Sequence, residues 1–316
     1  MLDATRYRLL NEWQRGFPLV PQPFAAIGAS LAMSEQEVLA HYRALQAAGL
    51  VDRIAPVFRP NTVGASTLAA MRVPAARLAK VAALVDRHPG VNHNYEREHR
   101  YNLWFVATGA CAEDVERTLA AIERSSGLAV LRLPLEEEYH IDLGFDLADG
   151  SVPRAEGAPG APPPMTAPER SLAAALAAGL PLVSRPYAGF GVPQARVIEL
   201  LGRWLESGIV RRIGAVVRHR QLGYAANAMA VWDVPDALAA GLGRKLAAER
   251  AVTLCYRRAR ALPEWPYNLY CMLHGRQRAQ VLRELERLRA AHGLESYPHA
   301  VLFSRRCFSQ RAARYG

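Results

Sequence analysis

The stretch VNHNYEREHRYNLWFV, Val91 to Val106, carries two histidines, two tyrosines and two arginines around a charged turn, between limbs that alternate like strands. It reads as a β-hairpin. Its second limb, RYNLWF (Arg100 to Phe105), recurs as PYNLYC (Pro266 to Cys271). Working outward, FPLVPQPF (Phe17 to Phe24) recurs as LPLVSRPY (Leu180 to Tyr187). AGLVDRIAPVFR (Ala48 to Arg59) likewise recurs as SGIVRRIGAVVR (Ser207 to Arg218). Three matches in one order make the chain a tandem duplication. Between the copies lies DGSVPRAEGAPGAPPPMTAP (Asp149 to Pro168), whose Pro, Gly and Ala content predicts a semi-extended linker.

Each copy reads in two parts. The first is helical. Ser34 with Glu37 three residues on forms a capping box, Val38, Leu39, Tyr42 and Leu45 follow at helical spacing, and Gly49 stops the helix. In the second copy Pro193 opens the equivalent helix, Val197, Leu200, Leu201 and Trp204 repeat the stripe, and Gly208 closes it. β-Branched runs after each helix (Val51, Ile54, Val57; Val210, Ile213, Val216, Val217) predict a short strand pair, hence a winged helix-turn-helix in each half. The second part of each copy alternates in the order β-α-β-β-α-β, the ferredoxin-like plan with both helices on one face of an antiparallel sheet. The expected class is α+β: winged helix at 1–64, ferredoxin-like domain at 65–148, linker at 149–168, winged helix at 169–223 and ferredoxin-like domain at 224–316. The two sheets are expected to pair as an intramolecular pseudo-dimer with clefts between them.

Composition narrows the partners. Residues 1–150 hold 15 Lys+Arg against 18 Asp+Glu, a net −3, whereas 151–316 hold 24 against 11, a net +13. Nearly all the basic residues are arginine, with Lys80 and Lys245 the only lysines. A GC-rich genome produces that bias without function; arginine's planar fork also suits carboxylates and phosphates. The cysteines Cys111, Cys255, Cys271 and Cys307 form no CxxC pair, so a zinc or dithiol site is not expected. No stretch approaches the roughly 20 apolar residues that a bilayer span needs, and a cytoplasmic location without membrane contact is the simplest expectation.

A winged helix followed by a ferredoxin-like domain resembles the Lrp/AsnC transcription regulators over most of each half. HNYEREHRYNLWF in the first copy, with TLCYRR (Thr253 to Arg258) and WPYNLYCMLHG (Trp265 to Gly275) in the second, is similar to the two subunit types of siroheme decarboxylase, here fused in one chain. That resemblance implies a carboxy-lyase of haem d1 biosynthesis that removes two acetate carboxyl groups from siroheme to give 12,18-didecarboxysiroheme. It implies no cofactor beyond the iron of the siroheme substrate. Its partner is siroheme or a related iron tetrapyrrole with many carboxylates; DNA binding is not expected, and a homo-oligomer is compatible with it.

The residues fit that chemistry. A macrocycle with eight carboxylates calls for arginines and aromatic faces, and the expected binding set is Tyr95, Arg97, Arg100, Tyr101, Arg257, Arg258, Tyr267, Arg305 and Arg306. The bland alternative for each arginine is a solvated rim. Alternation puts His93 and Tyr95 on one face and Asn94 on the other, and groups His99, Tyr101 and Leu103 across the turn. His93 and His99 are the expected catalytic pair: loss of carbon dioxide leaves an electron pair on the acetate arm, and a histidine can supply the proton that makes the methyl group. Either is alternatively an axial ligand to the siroheme iron, and no metal is expected to be held by the protein alone. In the second copy Leu254 and Trp265 stand where the first has His93 and His99, so one working site is expected. His140 and His299 are secondary candidates, His140 following the last strand of the first copy, and structural histidine is the alternative for each.

Two rival functions remain. A DNA-binding regulator would use Ser34 to Ala48 and Pro193 to Ser207 as recognition helices, but acid cancels base on both. A haem-binding module would take the same ligand without chemistry.

Overall fold

The computed structural model describes residues 3–152 and 162–315. The expected linker at 149–168 therefore lies partly outside the described residues. In chain order the first half runs α1 (Ala4–Asn11), α2 (Pro23–Leu31), α3 (Glu35–Ala47), β1 (Val51–Phe58), β2 (Ala65–Met71), α4 (Leu78–Asp86), β3 (Val91–Arg97), β4 (Leu103–Gly109), α5 (Ala112–Ser126) and β5 (Val130–Ile141). The second runs α6 (Ala167–Ala177), α7 (Gln194–Glu206), β6 (Val210–Val217), β7 (Ala226–Trp232), α8 (Asp236–Ala248), β8 (Val252–Arg258), β9 (Leu269–Gly275), α9 (Arg278–His292) and β10 (His299–Gln310).

These elements assemble into two compact units, and neither unit is one half of the sequence. One unit comprises the described residues of Met1–Val63, Gly144–Leu147 and Gly157–Leu222; the other comprises those of Gly64–Leu143, Ala148–Glu156 and Gly223–Gly316.

In the helical unit the capping box of Ser34 and Glu37 forms, and Gly49 ends the first stripe with φ near 68°. Two expectations change. The wing is not a strand pair within each half: β1 and β6 pair with each other, antiparallel, with Ala55 opposite Gly214. Each half supplies one strand, and the partner edge comes from the other copy. The second copy also has no counterpart of α2, because Leu180 to Pro193 forms turns and bends. Gly189 and Gly191 take positive φ, near 89° and 75°, which breaks the run that would continue the helix after Pro186.

In the sheet unit each half has the expected antiparallel order, β5-β2-β4-β3 and its counterpart β10-β7-β9-β8. The two sheets do not face each other as separate layers. β5 and β10, 12 residues each, run past their own sheets to pair with β8 and β3, which closes all eight strands into one barrel. The strands are apolar on both sides because both sides are covered. Outside, α4 and α5 pack Val81, Val85, Val115, Leu119 and Ile122 on Ala69, Met71, Leu103 and Phe105. α8 and α9 pack Leu246, Val281, Leu285 and Leu288 on Trp232, Leu269 and Leu273. A third cluster lines the interior and draws on both halves, with Leu68, Trp104, Leu133, Met229, Tyr256, Tyr270, Met272 and Leu302. Among the described residues no helix is long and apolar enough to cross a membrane.

Candidate active site

Register decides which side chains enter the barrel. His93 lies opposite Val106 and Tyr95 opposite Trp104, and Trp104 belongs to the interior cluster, so His93, Tyr95 and Arg97 share the inner face. Asn94 faces the other way, and its Nδ2 donates to the Ala82 carbonyl and to Asp86 on α4. The alternation expected across the turn does not hold: Tyr101 packs inside, whereas Leu103 packs outside against α4 and α5. Residues 98–102 form a bend, where the period of two lapses.

Two interior arginines occupy equivalent places. Arg97 Nη1 donates to the Leu302 carbonyl at 3.1 Å, and Arg258 Nη1 donates to the Leu133 carbonyl at 2.7 Å. Arg97 lies 5.8 Å from the Tyr95 ring centre and Arg258 lies 4.6 Å from that of Tyr256. Neither has a carboxylate partner among the described residues, and Arg97 is only 7% exposed. Burial lowers the Arg97 pKa from its ordinary value, opposed in part by Tyr256 and Tyr95. A buried guanidinium without a counter-ion is costly, and such groups mark sites for anions.

Aromatic rings cluster where the β3–β4 and β8–β9 hairpins turn. Trp265 is fully buried, edge-on to Trp104 at 5.0 Å, Tyr267 at 4.9 Å, His99 at 5.3 Å and Tyr101 at 6.0 Å. Glu264 ties the two hairpins together, accepting from the Tyr101 hydroxyl through its carboxylate and from Arg100 through its carbonyl. His99 Nδ1 accepts the Tyr101 backbone N–H at 3.1 Å. That bond assigns the neutral tautomer with its proton on Nε2. Burial, with Arg100 adjacent, lowers the His99 pKa, which favours the same neutral form. His93 is not beside it, because four residues of strand, roughly 13 Å, separate His93 from the end of β3 at Arg97.

His274, also inward, is the most strongly perturbed histidine. Thr253 Oγ1 donates to the Met272 carbonyl and so accepts from His274 Nδ1 at 2.9 Å, while Asn227 Nδ2 donates to His274 Nε2 at 2.7 Å. Both ring nitrogens are satisfied only when the ring is neutral. Burial, together with nearby Arg97, pushes its pKa down to about 4. With an unfolded value near 6.5, the unfolded chain binds the extra proton first on acidification. The stabilisation is complete above pH 6.5, declines as pH falls toward about 4, and amounts to about 3 kcal/mol over that window. Denaturant titrations at pH 7.5 and pH 4 should show His274→Asn losing about that much less stability than the parent chain.

The remaining expected residues lie elsewhere. Arg257 faces outward opposite Leu269 and donates to Glu136 at 2.8 Å across the β5–β8 seam. Arg305 and Arg306 do not follow the last strand but lie within it. Arg305 is near Glu96 and Glu98, and Arg306 stacks on Phe308. His140 also lies inside a strand, opposite Cys255, whose thiol donates to Gly243 on α8, and so belongs to the outer face. His299 lies opposite Trp232 on the outer face, and burial beside Arg289 of α9 lowers its pKa. The sequence singles out His274 as a histidine for a different cleft or a structural one, but not its partners Thr253 and Asn227, nor Ser304, Glu264 and Tyr256. No group of three or more His, Cys, Asp or Glu among the described residues can hold a metal ion.

Comparison with known proteins fixes the family. The model of an AsnC-like ligand-binding domain matches residues 63–140 and 221–309, and that of a siroheme decarboxylase NirDL-like HTH domain matches 7–51. The siroheme decarboxylase NirDL subunit of Paracoccus denitrificans is 43% identical, over 99% of this chain and 97% of its own length. The chain belongs to the siroheme decarboxylase NirDL family. A NirDL crystal structure matches with a TM-score of 0.66 at 28% identity, covering 98% of this chain and 94% of its own. A second, in complex with an iron-uroporphyrin III analogue, matches at 0.65 and 27%, covering 98% and 93%. The NirDL-like HTH match falls on the first copy, the half in which α2 is present.

Proposed function

We propose that this NirDL-family chain is a siroheme decarboxylase that removes two acetate carboxyl groups without oxidation, giving 12,18-didecarboxysiroheme. In the geometry one observation carries it: a barrel interior lined by aromatic rings and by two arginines, Arg97 and Arg258, that have no carboxylate of their own among the described residues. A polycarboxylate macrocycle supplies what they lack.

In each decarboxylation the bond between the acetate methylene and its carboxyl carbon breaks, carbon dioxide leaves, and the macrocycle delocalises the electron pair until a proton makes the methyl group. His93 is the proton donor. His99 is unsuited to that role or to iron ligation, since its Nδ1 is occupied by the Tyr101 amide and its Nε2 carries the proton. As a neutral donor it positions a substrate oxygen, with Arg100, Tyr101 and Tyr267 at the same barrel end. Tyr95 contributes a ring face on the inner wall. Arg257, Arg305 and Arg306 bind only peripheral carboxylates, and His140 and His299 are structural. The chemistry needs no cofactor beyond the iron that the substrate carries. The two halves act as an intramolecular pseudo-dimer with one working site, in the cytoplasm. A regulator using paired recognition helices is less well supported, because the second half has no counterpart of α2.

Mass spectrometry of siroheme incubated anaerobically with the purified chain tests this. Loss of two carbon dioxide units per macrocycle is expected; siroheme recovered unchanged would overturn the assignment.

A further inference from the structure

Ser304 stands directly opposite Arg97 on the β3–β10 seam. It follows Leu302 at the strand period, so it faces the barrel interior. Its hydroxyl is buried, the residue is 9% exposed, and the oxygen has no hydrogen-bond partner. Arg97 is equally enclosed, and it donates to the Leu302 carbonyl and, at 3.9 Å, to the Met272 sulfur, a weak acceptor. A guanidinium has five N–H donors, so most of its capacity is unused. On the pseudo-equivalent seam the residue opposite the interior arginine is apolar: Leu135 lies opposite Arg258.

We infer that Arg97 and Ser304 together form a carboxylate-binding subsite on the β3–β10 seam, which takes one carboxylate arm of the substrate, whereas on the other seam Arg258 stands opposite Leu135 and acts without a hydroxyl beside it. This rests on the siroheme reading and deepens it. Arg97 supplies charge and two parallel N–H donors, and Ser304 donates its O–H to the same carboxylate. Met272, unbranched and deformable, is the neighbour that yields to the arriving group. An asymmetric pair of seams gives the pseudo-symmetric barrel a way to hold a macrocycle with unlike edges in one orientation.

Two readouts test the subsite without relying on turnover. Iron uroporphyrin is titrated against the full chain and followed by its absorption band, and thermal unfolding of the ligand-free chain is measured alongside. Arg97→Met should weaken iron-uroporphyrin binding at least thirtyfold yet raise the unfolding midpoint, because an uncompensated buried charge is removed. Ser304→Ala should weaken binding about five- to tenfold, the scale of one hydrogen bond to a charged group. Leu135→Ala should leave the affinity within about twofold, since Leu135 offers no donor to a carboxylate. Iron octaethylporphyrin, which has no carboxylates, should bind the parent chain and Arg97→Met equally. Unchanged iron-uroporphyrin affinity in Arg97→Met and Ser304→Ala would overturn the subsite while leaving the siroheme reading intact. A lowered midpoint in Arg97→Met with unchanged affinity would make the arginine structural. A parent chain that binds no iron porphyrin at all would instead sink the siroheme reading on which the subsite rests.

Discussion

His93→Ala should lower the single-turnover rate of carbon dioxide release from siroheme by 10²- to 10⁴-fold, the range over which a positioned general acid acts. Affinity for siroheme should change by less than about threefold, because a proton donor contributes mainly in the transition state. The comparison that matters is His99→Ala. Its Nδ1 is engaged by the Tyr101 amide, so removing it costs a positioning contact and should slow the reaction by less than about tenfold. Anaerobic single-turnover assays with product detection by mass spectrometry separate the two. Equal losses in both variants would show that His99 changes tautomer on substrate binding and shares the proton transfer.

Trp265→Ala is the substitution with the largest expected effect on stability. The ring is fully buried among Trp104, Tyr101, His99 and Tyr267, and its Nε1 donates to the Tyr270 hydroxyl at 2.7 Å. Truncation leaves a cavity that the rigid strand ends cannot collapse and strands the Tyr270 hydroxyl, at a cost of about 3–5 kcal/mol. Equilibrium denaturation should show it as a lower midpoint with little change in slope. Trp265→Phe, which keeps most of the ring volume, should recover the larger part of the loss. A cost below about 1 kcal/mol would mean that the aromatic end is loosely packed and easily opened.

What the sequence disclosed follows from the range of the signals. The Ser34 capping box, Gly49 and the β-α-β-β-α-β order depend on residues a few positions apart, and the chain forms them as read. So does the split of His93 and Tyr95 from Asn94, because β3 is regular there. The bend at 98–102 broke the same rule, and Leu103 turned outward. The sequence predicts that the two sheets pair, but not the strand-to-strand seams that join the copies. EEEYH reads as a tail after a strand, yet it extends β5 to pair with β8, as SRR carries β10 on to pair with β3. The arginines show the same limit: Arg257 and Arg305 look like ligand anchors in a net-positive half, but acidic residues of the first half lie against them. Ser304 carries no local signal at all, and only its register with Arg97 singles it out.

The two seams that close the barrel, β3 with β10 and β5 with β8, each join one half to the other. Made as separate polypeptides, two identical halves would compete with unlike halves for those edges, and the mixture would follow how much of each was synthesised. On one chain the second half is always present at high effective concentration, and the ratio is fixed at one to one. Pairing then does not fade on dilution. A substitution in the His93-bearing half is never masked by an unmutated copy drawn from a pool, so the two halves are inherited, and exposed to selection, as a single unit.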